Sequence, residues 1–200
     1  AAVLTGALLV GDSVKQSLRD IALQRIGSIH YALYQPDRFV RDALAEDLES
    51  ILSTAVAPAL QLPGIVIDSA NDTRVAGVQI IGVDERFDAM HSGGGVRNDL
   101  QENHVWLSEP LAKKLGGAVH SELLLRIAQP SALPRDAGVG SVVDTSIAWR
   151  VTVAGVIRDD QLGRFSLQAN QVAPDNAFVN FVELQRRVGL ANRANLIVTG

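Results

Sequence analysis

The residues whose types could do chemistry are a serine, an aspartate and a histidine. Gly11-Asp12-Ser13 follows an uncharged, largely apolar run over residues 1–10, and Asp88-Ala89-Met90-His91 sets a carboxylate three residues before an imidazole. A serine hydroxyl becomes a nucleophile when a base within hydrogen-bond reach takes its proton and a carboxylate orients that base. The four histidines, His30, His91, His104 and His120, never fall at HxxxH or HxH spacing, so no metal site is expected. The absence of cysteine excludes disulfides, thiolate metal ligands and Cys nucleophiles. Gly93-Gly94-Gly95 has neither a P-loop lysine nor Rossmann spacing and reads as a mobile linker. Glu46, Asp47 and Glu49 read as a solvated helix face, and Arg186-Arg187 as surface. Taken alone, the residues predict no catalytic, cofactor-binding or metal-binding side chain.

An apolar run followed by Gly-Asp-Ser resembles the opening of the SGNH (GDSL-type) esterases. In that family the serine after a buried strand is the nucleophile, and a DxxH near the C-terminus completes a triad. The resemblance implies Ser13 as nucleophile. The chain departs from the pattern: more than 100 residues follow His91, and the residue after Ser13 is Val14 rather than leucine. The interleaved strand–helix units of a parallel sheet are also missing. The preferred reading of Ser13 is a polar interruption in a helix that is leaving an apolar environment.

That helix is the first element to place. After Gly11-Asp12, Val14, Leu18, Ile21, Ala22 and Ile26 recur at helical spacing, while Lys15, Arg19, Asp20 and Arg25 take the other face. The spacing predicts one long helix over residues 1–27, apolar at its start and amphipathic where it lies on a soluble domain. The apolar start is far short of the ~20 residues that cross a bilayer. It reads as a buried core helix or as the last turns of a membrane span. Both ends of the sequence read as cuts within a longer chain, and no signal peptide is visible.

Composition bounds the rest. Two hundred residues suit one large domain or two small ones, with 47% hydrophobic and 20% charged residues. Few aromatics make the core aliphatic. A net charge of −4 with scattered basic residues leaves no footprint for nucleic acid.

Beyond Gly27 the pattern predicts a strand over 28–34, then a helix opened by Pro36-Asp37 and running to about residue 52, with Phe39, Leu44, Leu48 and Ile51 on one face. Pro58 is expected to close that region. A strand over 64–68, a turn at Ala70-Asn71-Asp72-Thr73 and a strand over 74–83 form a hairpin. A helical turn over 84–90 follows, then a strand over 104–107 and a helix capped by Ser108 that stops at Gly116-Gly117. Strands over 123–127 and 148–157 flank a Pro/Gly-rich loop over 130–140. An irregular polar stretch over 158–175 precedes strand 177–180, helix 182–188 and strand 194–198. Such mixed short elements predict an α+β fold. The loop-rich middle reads as an insertion, with 1–83 and 175–200 as one module and 84–174 as the other.

The order of these elements and several phrases resemble the periplasmic core domain of MacB/FtsX-type ABC transporter permeases, the macrolide-exporter and lipoprotein-releasing class. The phrases are Ala7-Leu8-Leu9-Val10-Gly11-Asp12-Ser13-Val14-Lys15-Gln16-Ser17-Leu18, Val78-Gln79-Ile80-Ile81-Gly82-Val83-Asp84-Glu85-Arg86-Phe87, Val105-Trp106-Leu107-Ser108-Glu109-Pro110-Leu111-Ala112-Lys113-Lys114-Leu115-Gly116, Val151-Thr152-Val153-Ala154-Gly155-Val156-Ile157 and Asn176-Ala177-Phe178-Val179-Asn180-Phe181-Val182-Glu183-Leu184-Gln185. The loop over 130–140 and Gly163-Arg164-Phe165-Ser166-Leu167 depart from the shorter versions of that domain. The resemblance implies a porter-like α/β module with an inserted mixed subdomain, and a first helix continuing from a membrane span. It implies no enzyme and no cofactor. It places the segment on the periplasmic side of a bacterial inner membrane. The partners it implies are a cytoplasmic ABC ATPase, a second permease copy, a periplasmic adaptor or lipoprotein cargo, and the bilayer through flanking helices. The alternatives are the Ser13 esterase and a stand-alone envelope binding module.

Overall fold

The computed structural model describes residues 13–17, 19, 20, 22, 23, 25–90, 100–116, 119–129, 146–168 and 174–200. The first helix, α1, comprises the described residues between 13 and 26. Then come β1 (Tyr31–Tyr34), β2 (Val40–Arg41), α2 (Leu44–Leu52), β3 (Val56–Asp68), β4 (Thr73–Val83), α3 (Glu85–Ala89), β5 (His104–Ser108) and α4 (Glu109–Leu115). The chain continues through β6 (Glu122–Ala128), β7 (Ser146–Ile157), β8 (Asn176–Asn180), α5 (Phe181–Val188), β9 (Arg193–Ala194) and β10 (Leu196–Thr199). The expected mixture of helices and strands is present.

One sheet of order β1-β10-β3-β4-β8-β5-β7-β6 carries the architecture, and an added β3–β6 pairing closes its last six strands into a barrel. Closure removes the free edge that β6 and the second half of β3 would otherwise expose. The β4–β8 and β5–β7 pairs are parallel, and the other neighbours in the sheet are antiparallel. Strands from 84–174 and from the flanking segments therefore share one hydrogen-bonded sheet.

Alternation along these strands separates two cores. Leu60, Leu62, Val78, Ile80, Val105, Leu107, Leu125, Trp149, Val151 and Val179 face one way and pack with Leu111 and Leu115 of α4 and Phe181, Leu184 and Val188 of α5. Ile81, Val83, Ile157, Phe178, Leu196 and Val198 face the other way and pack with Phe87, Met90, Leu162 and Phe165. Each fully buried large aliphatic or aromatic side chain contributes roughly 1.5–3 kcal/mol. The stretch expected to be irregular and polar after residue 158 thus supplies two core residues. Phe165 meets Phe87 edge-on, centroids 5.3 Å apart.

Bulges keep this alternation in phase. The β3–β4 register shifts between Gly64 and Ile65, leaving Gly77 as the extra residue of β4 at φ +73°. Val75 and Val78 consequently both pack toward the first core although they are three positions apart.

Three sequence expectations are corrected. The second helix begins at Leu44, not at Pro36-Asp37. Val40 and Arg41 instead pair with Ala194 and Arg193 as a two-stranded ribbon, and Phe39 packs on the first core from outside any helix. Pro58 lies inside β3, which starts at Val56, opposite Ile197 of β10. A proline is tolerated there because the β4 ladder on its other side begins only at Leu60. Ser108 precedes α4 as expected, but its hydroxyl does not cap the helix; it accepts a hydrogen bond from Asn176 N at 3.1 Å.

Candidate functional site

The serine, aspartate and histidine of the esterase reading are not brought together among the described residues. Ser13 is exposed at the start of α1, Asp88 is buried in α3 with 4% exposure, and His91 lies outside the described residues, as do Gly93, Gly94 and Gly95. The remaining histidines stand apart: His30 before β1, His104 in β5 with Nδ1 3.0 Å from Glu102 O, and His120 in a turn whose N–H donates to Val153 O. Among the described residues no cluster of three His, Cys, Asp or Glu side chains is placed to hold a metal.

The feature the fold does build is the junction at the base of α1. Every described side chain from 13 to 23 is exposed, including Val14 at 54% and Leu23 at 50%. The described residues of α1 before Arg25 thus make no buried contact with the domain; Leu18 and Ile21, at the centre of the expected apolar face, lie outside the described residues. Only the last turn docks. Arg25, assigned by spacing to the polar face, is 8% exposed, and Ile26 packs on the second core.

Gly27 ends the helix at φ +59°, where its N–H donates to Leu23 O at 3.1 Å. A Cβ there would lie 2.9 Å from Leu162 Cδ2 and 3.2 Å from Met90 O. Next, Ser28 N donates to Met90 O at 3.2 Å, and the Ser28 hydroxyl donates to the same oxygen. Ile29 is buried, and His30 N donates to Thr199 O at 2.8 Å. The far end of the chain arrives at the same place. Gly200 N donates to Ala55 O, and a Cβ on Gly200 would lie 3.1 Å from Met90 Sδ and 3.5 Å from Ser28 O. The base of α1, the end of α3, the turn at Leu162 and the end of β10 thus form one rigid corner. Sequence reading gave Gly27 only as a stop. Met90 and Leu162 were missed, since their partners are remote in sequence; the sole methionine of the chain was the available hint.

From that corner, buried contacts lead into the body. Asp84 caps α3, accepting from Arg86 N at 3.1 Å and Phe87 N at 3.2 Å. Asn180 caps α5, accepting from Glu183 N at 3.0 Å while its Nδ2 donates to Leu100 O. Glu183 is 2% exposed and fully engaged: Asn103 N donates to Oε2 at 2.8 Å, and Arg187 Nε donates to Oε1 at 3.0 Å. Arg187 also lies over the Trp149 ring, 4.7 Å from its centroid, and Trp149 Nε1 donates to Asn103 Oδ1 at 3.1 Å. This network clamps α5 to β7 and to the turn before β5. A carboxylate this deeply buried is retained when it is both paired and hydrogen-bonded. The arrangement holds elements in register.

Apart from the junction, a shallow cleft is lined by Tyr34, Gln35, Pro36, Asp37 and Arg38. Burial, and then the negative charge of Asp37, push the Tyr34 phenol above its ordinary pKa.

A scan against protein-family models finds no match, and a search of curated protein sequences finds none either. Among solved structures, the chain is similar to the periplasmic region of MacB from Actinobacillus actinomycetemcomitans. The TM-score is 0.53 at 13% identity, over 88% of this chain and 76% of that one. The chain has a MacB-periplasmic-region-like fold.

Proposed function

We propose that this chain is the extracytoplasmic domain of an ABC-type export permease, and that it transmits membrane-helix motion without doing chemistry of its own. In this reading α1 continues a membrane span, and the motion is driven by a cytoplasmic ABC ATPase. A second permease copy, a periplasmic adaptor or a lipoprotein cargo are the partners, and the segment sits outside a bacterial inner membrane. Residues 1–83 and 175–200 form the porter-like module that receives the motion, and 84–174 form the inserted mixed subdomain.

The observation that carries the proposal is α1 itself. Its described side chains from 13 to 23 are exposed, and its last turn is held where Gly27, Met90 and Leu162 meet closely. A straight helix held at one end transmits rotation and translation to whatever it is fixed to. The last strand ends beside the same corner. The likeness of fold to a MacB periplasmic region supports the assignment.

The chain has no cysteine, so Lys15→Cys, on the exposed face of α1, gives the segment a single reporter thiol. In the native full-length protein in intact cells with a permeabilised outer membrane, a membrane-impermeant maleimide is expected to label it. The protein should fractionate with membranes and co-purify with an ABC ATPase. Labelling only after inner-membrane lysis, or recovery in the soluble fraction, would refute the assignment.

A further inference from the structure

The barrel carries an outward sheet face that nothing in the foregoing account uses. Cross-strand partners lie on the same face of a sheet. Arg74 of β4 is opposite Ile67 of β3, Ile67 is opposite Leu124 of β6, and Leu124 is opposite Arg150 of β7. One step along, two residues on, Arg126 of β6 is opposite Ile65. The intervening Val66, Leu125 and Trp149 point inward and are buried, so the six named residues point outward. The three arginines are exposed, and Ile65, Ile67 and Leu124 are half-buried between them.

None of the ion pairs among the described residues engages Arg74, Arg126 or Arg150. Elsewhere Arg41 is paired with Asp47, Arg86 with Asp84, Arg158 with Asp160, Arg164 with Asp159 and Arg187 with Glu183, while Arg19, Arg38 and Arg193 are scattered singly outside these ion pairs. In a chain with 22 acidic and 18 basic residues, three free guanidinium groups on one sheet face run against the overall charge. From Arg74 to Arg150 the face spans three strand spacings, roughly 14 Å.

We infer that this face is a docking surface for an acidic protein segment, one that lays an apolar ridge into the Ile65–Ile67–Leu124 valley and sets carboxylates against the three arginines. A guanidinium pairs a carboxylate through two parallel N–H···O bonds, and arginine beside apolar surface is the composition of interface hot spots. The geometry favours a protein over a lipid surface. The aliphatic side chains lie at the level of the sheet, below the long arginine side chains, so a ridge reaches them and a flat bilayer does not. The surface does not depend on the transporter reading.

The test uses the whole chain, with a ten-residue peptide alternating Glu and Val as probe, followed by amide NMR and fluorescence anisotropy. The peptide is expected to perturb the amides of 65–67, 124–126 and 148–150. Arg126→Gln is expected to weaken binding at least tenfold, and a probe with Gln in place of Glu to lose it. Because the three arginines are exposed, Arg→Gln variants keep the fold, checked by unchanged circular dichroism. The inference is overturned by no peptide binding, by shifts elsewhere, or by equal binding to the Arg74→Gln/Arg126→Gln/Arg150→Gln variant. It is also overturned if the protein ignores the peptide but sediments with vesicles containing phosphatidylglycerol.

Discussion

The ring of Trp106 in β5 occupies the space that a side chain at Gly155 in β7 would fill: a Cβ there would lie 2.2 Å from Trp106 Cζ3. The β5–β7 register shifts beside this contact, pairing Val105 with Val153 and Trp106 with Gly155. The glycine is thus needed for a close approach, and the bulge sets where that approach occurs. Gly155→Ala is expected to cost about 1–3 kcal/mol, the usual penalty of overpacking. It should lower the urea midpoint, and adding Trp106→Leu should restore part of the loss. An unchanged midpoint in Gly155→Ala would mean that the ring moves aside without penalty.

Arg187 is the principal counter-charge of a carboxylate that is 2% exposed, and it also covers the Trp149 ring. Removing one partner of such a pair leaves the other charge buried alone. Arg187→Ala is expected to destabilise the fold by about 3 kcal/mol, at the lower end for a buried pair because the arginine itself remains partly exposed. Arg187→Lys should recover only part of that, since an ammonium neither forks onto the carboxylate nor stacks flat on the indole. Chemical denaturation of the three proteins distinguishes these outcomes.

Gly27 combines a left-handed backbone with close neighbours on two sides. A β-branched residue at such a position is a strong outlier, and the strain is on the order of 1–3 kcal/mol. Gly27→Val should therefore loosen the corner. Faster hydrogen exchange at the Ser28 amide, which donates to Met90 O, is the readout. Exchange as slow as in the parent would show that the corner is not set by this residue.

Tyr34 is raised by burial first and by Asp37 second. Neutral Tyr34 is the form the fold prefers, so its contribution to stability is complete below the unfolded value of about 10 and is lost as pH rises through the higher folded value. The chain has two tyrosines, so Tyr31→Phe leaves Tyr34 as the one phenol to titrate by ultraviolet absorbance. Its transition is expected above the ordinary value, and Asp37→Asn should move it down. A transition at the ordinary value would remove the burial argument.

Much of the barrel was legible because its signals are local. Alternation in Val78-Gln79-Ile80-Ile81 and Val151-Thr152-Val153, the turn at Ala70-Asn71-Asp72-Thr73 and the glycine stop at Gly116 announce strands, a hairpin and a helix end. The second helix was misread because Pro36-Asp37 is a sound helix-start signal locally; the pairing of Val40 with Ala194, far along the chain, overrides it. Gly155 stood in a legible phrase, but the ring that requires it belongs to another strand. The junction was least legible. Gly27, Met90 and Leu162 are brought together only by the finished fold, and hydrophobic spacing in α1 pointed to a contact that Val14 and Ala22, both exposed, do not make.

The central claim, that α1 is a rigid lever, is tested most directly in the full-length protein reconstituted with its ATPase. Arg19 is exposed and lies within the described helical residues, and a proline there removes the helix hydrogen bond that the residue donates. Its side chain lies outside both cores, so the fold of the body is expected to be unchanged. Arg19→Pro is predicted to leave ATP hydrolysis near the parent level while export falls at least tenfold. Export at the parent rate in that variant would contradict the lever account.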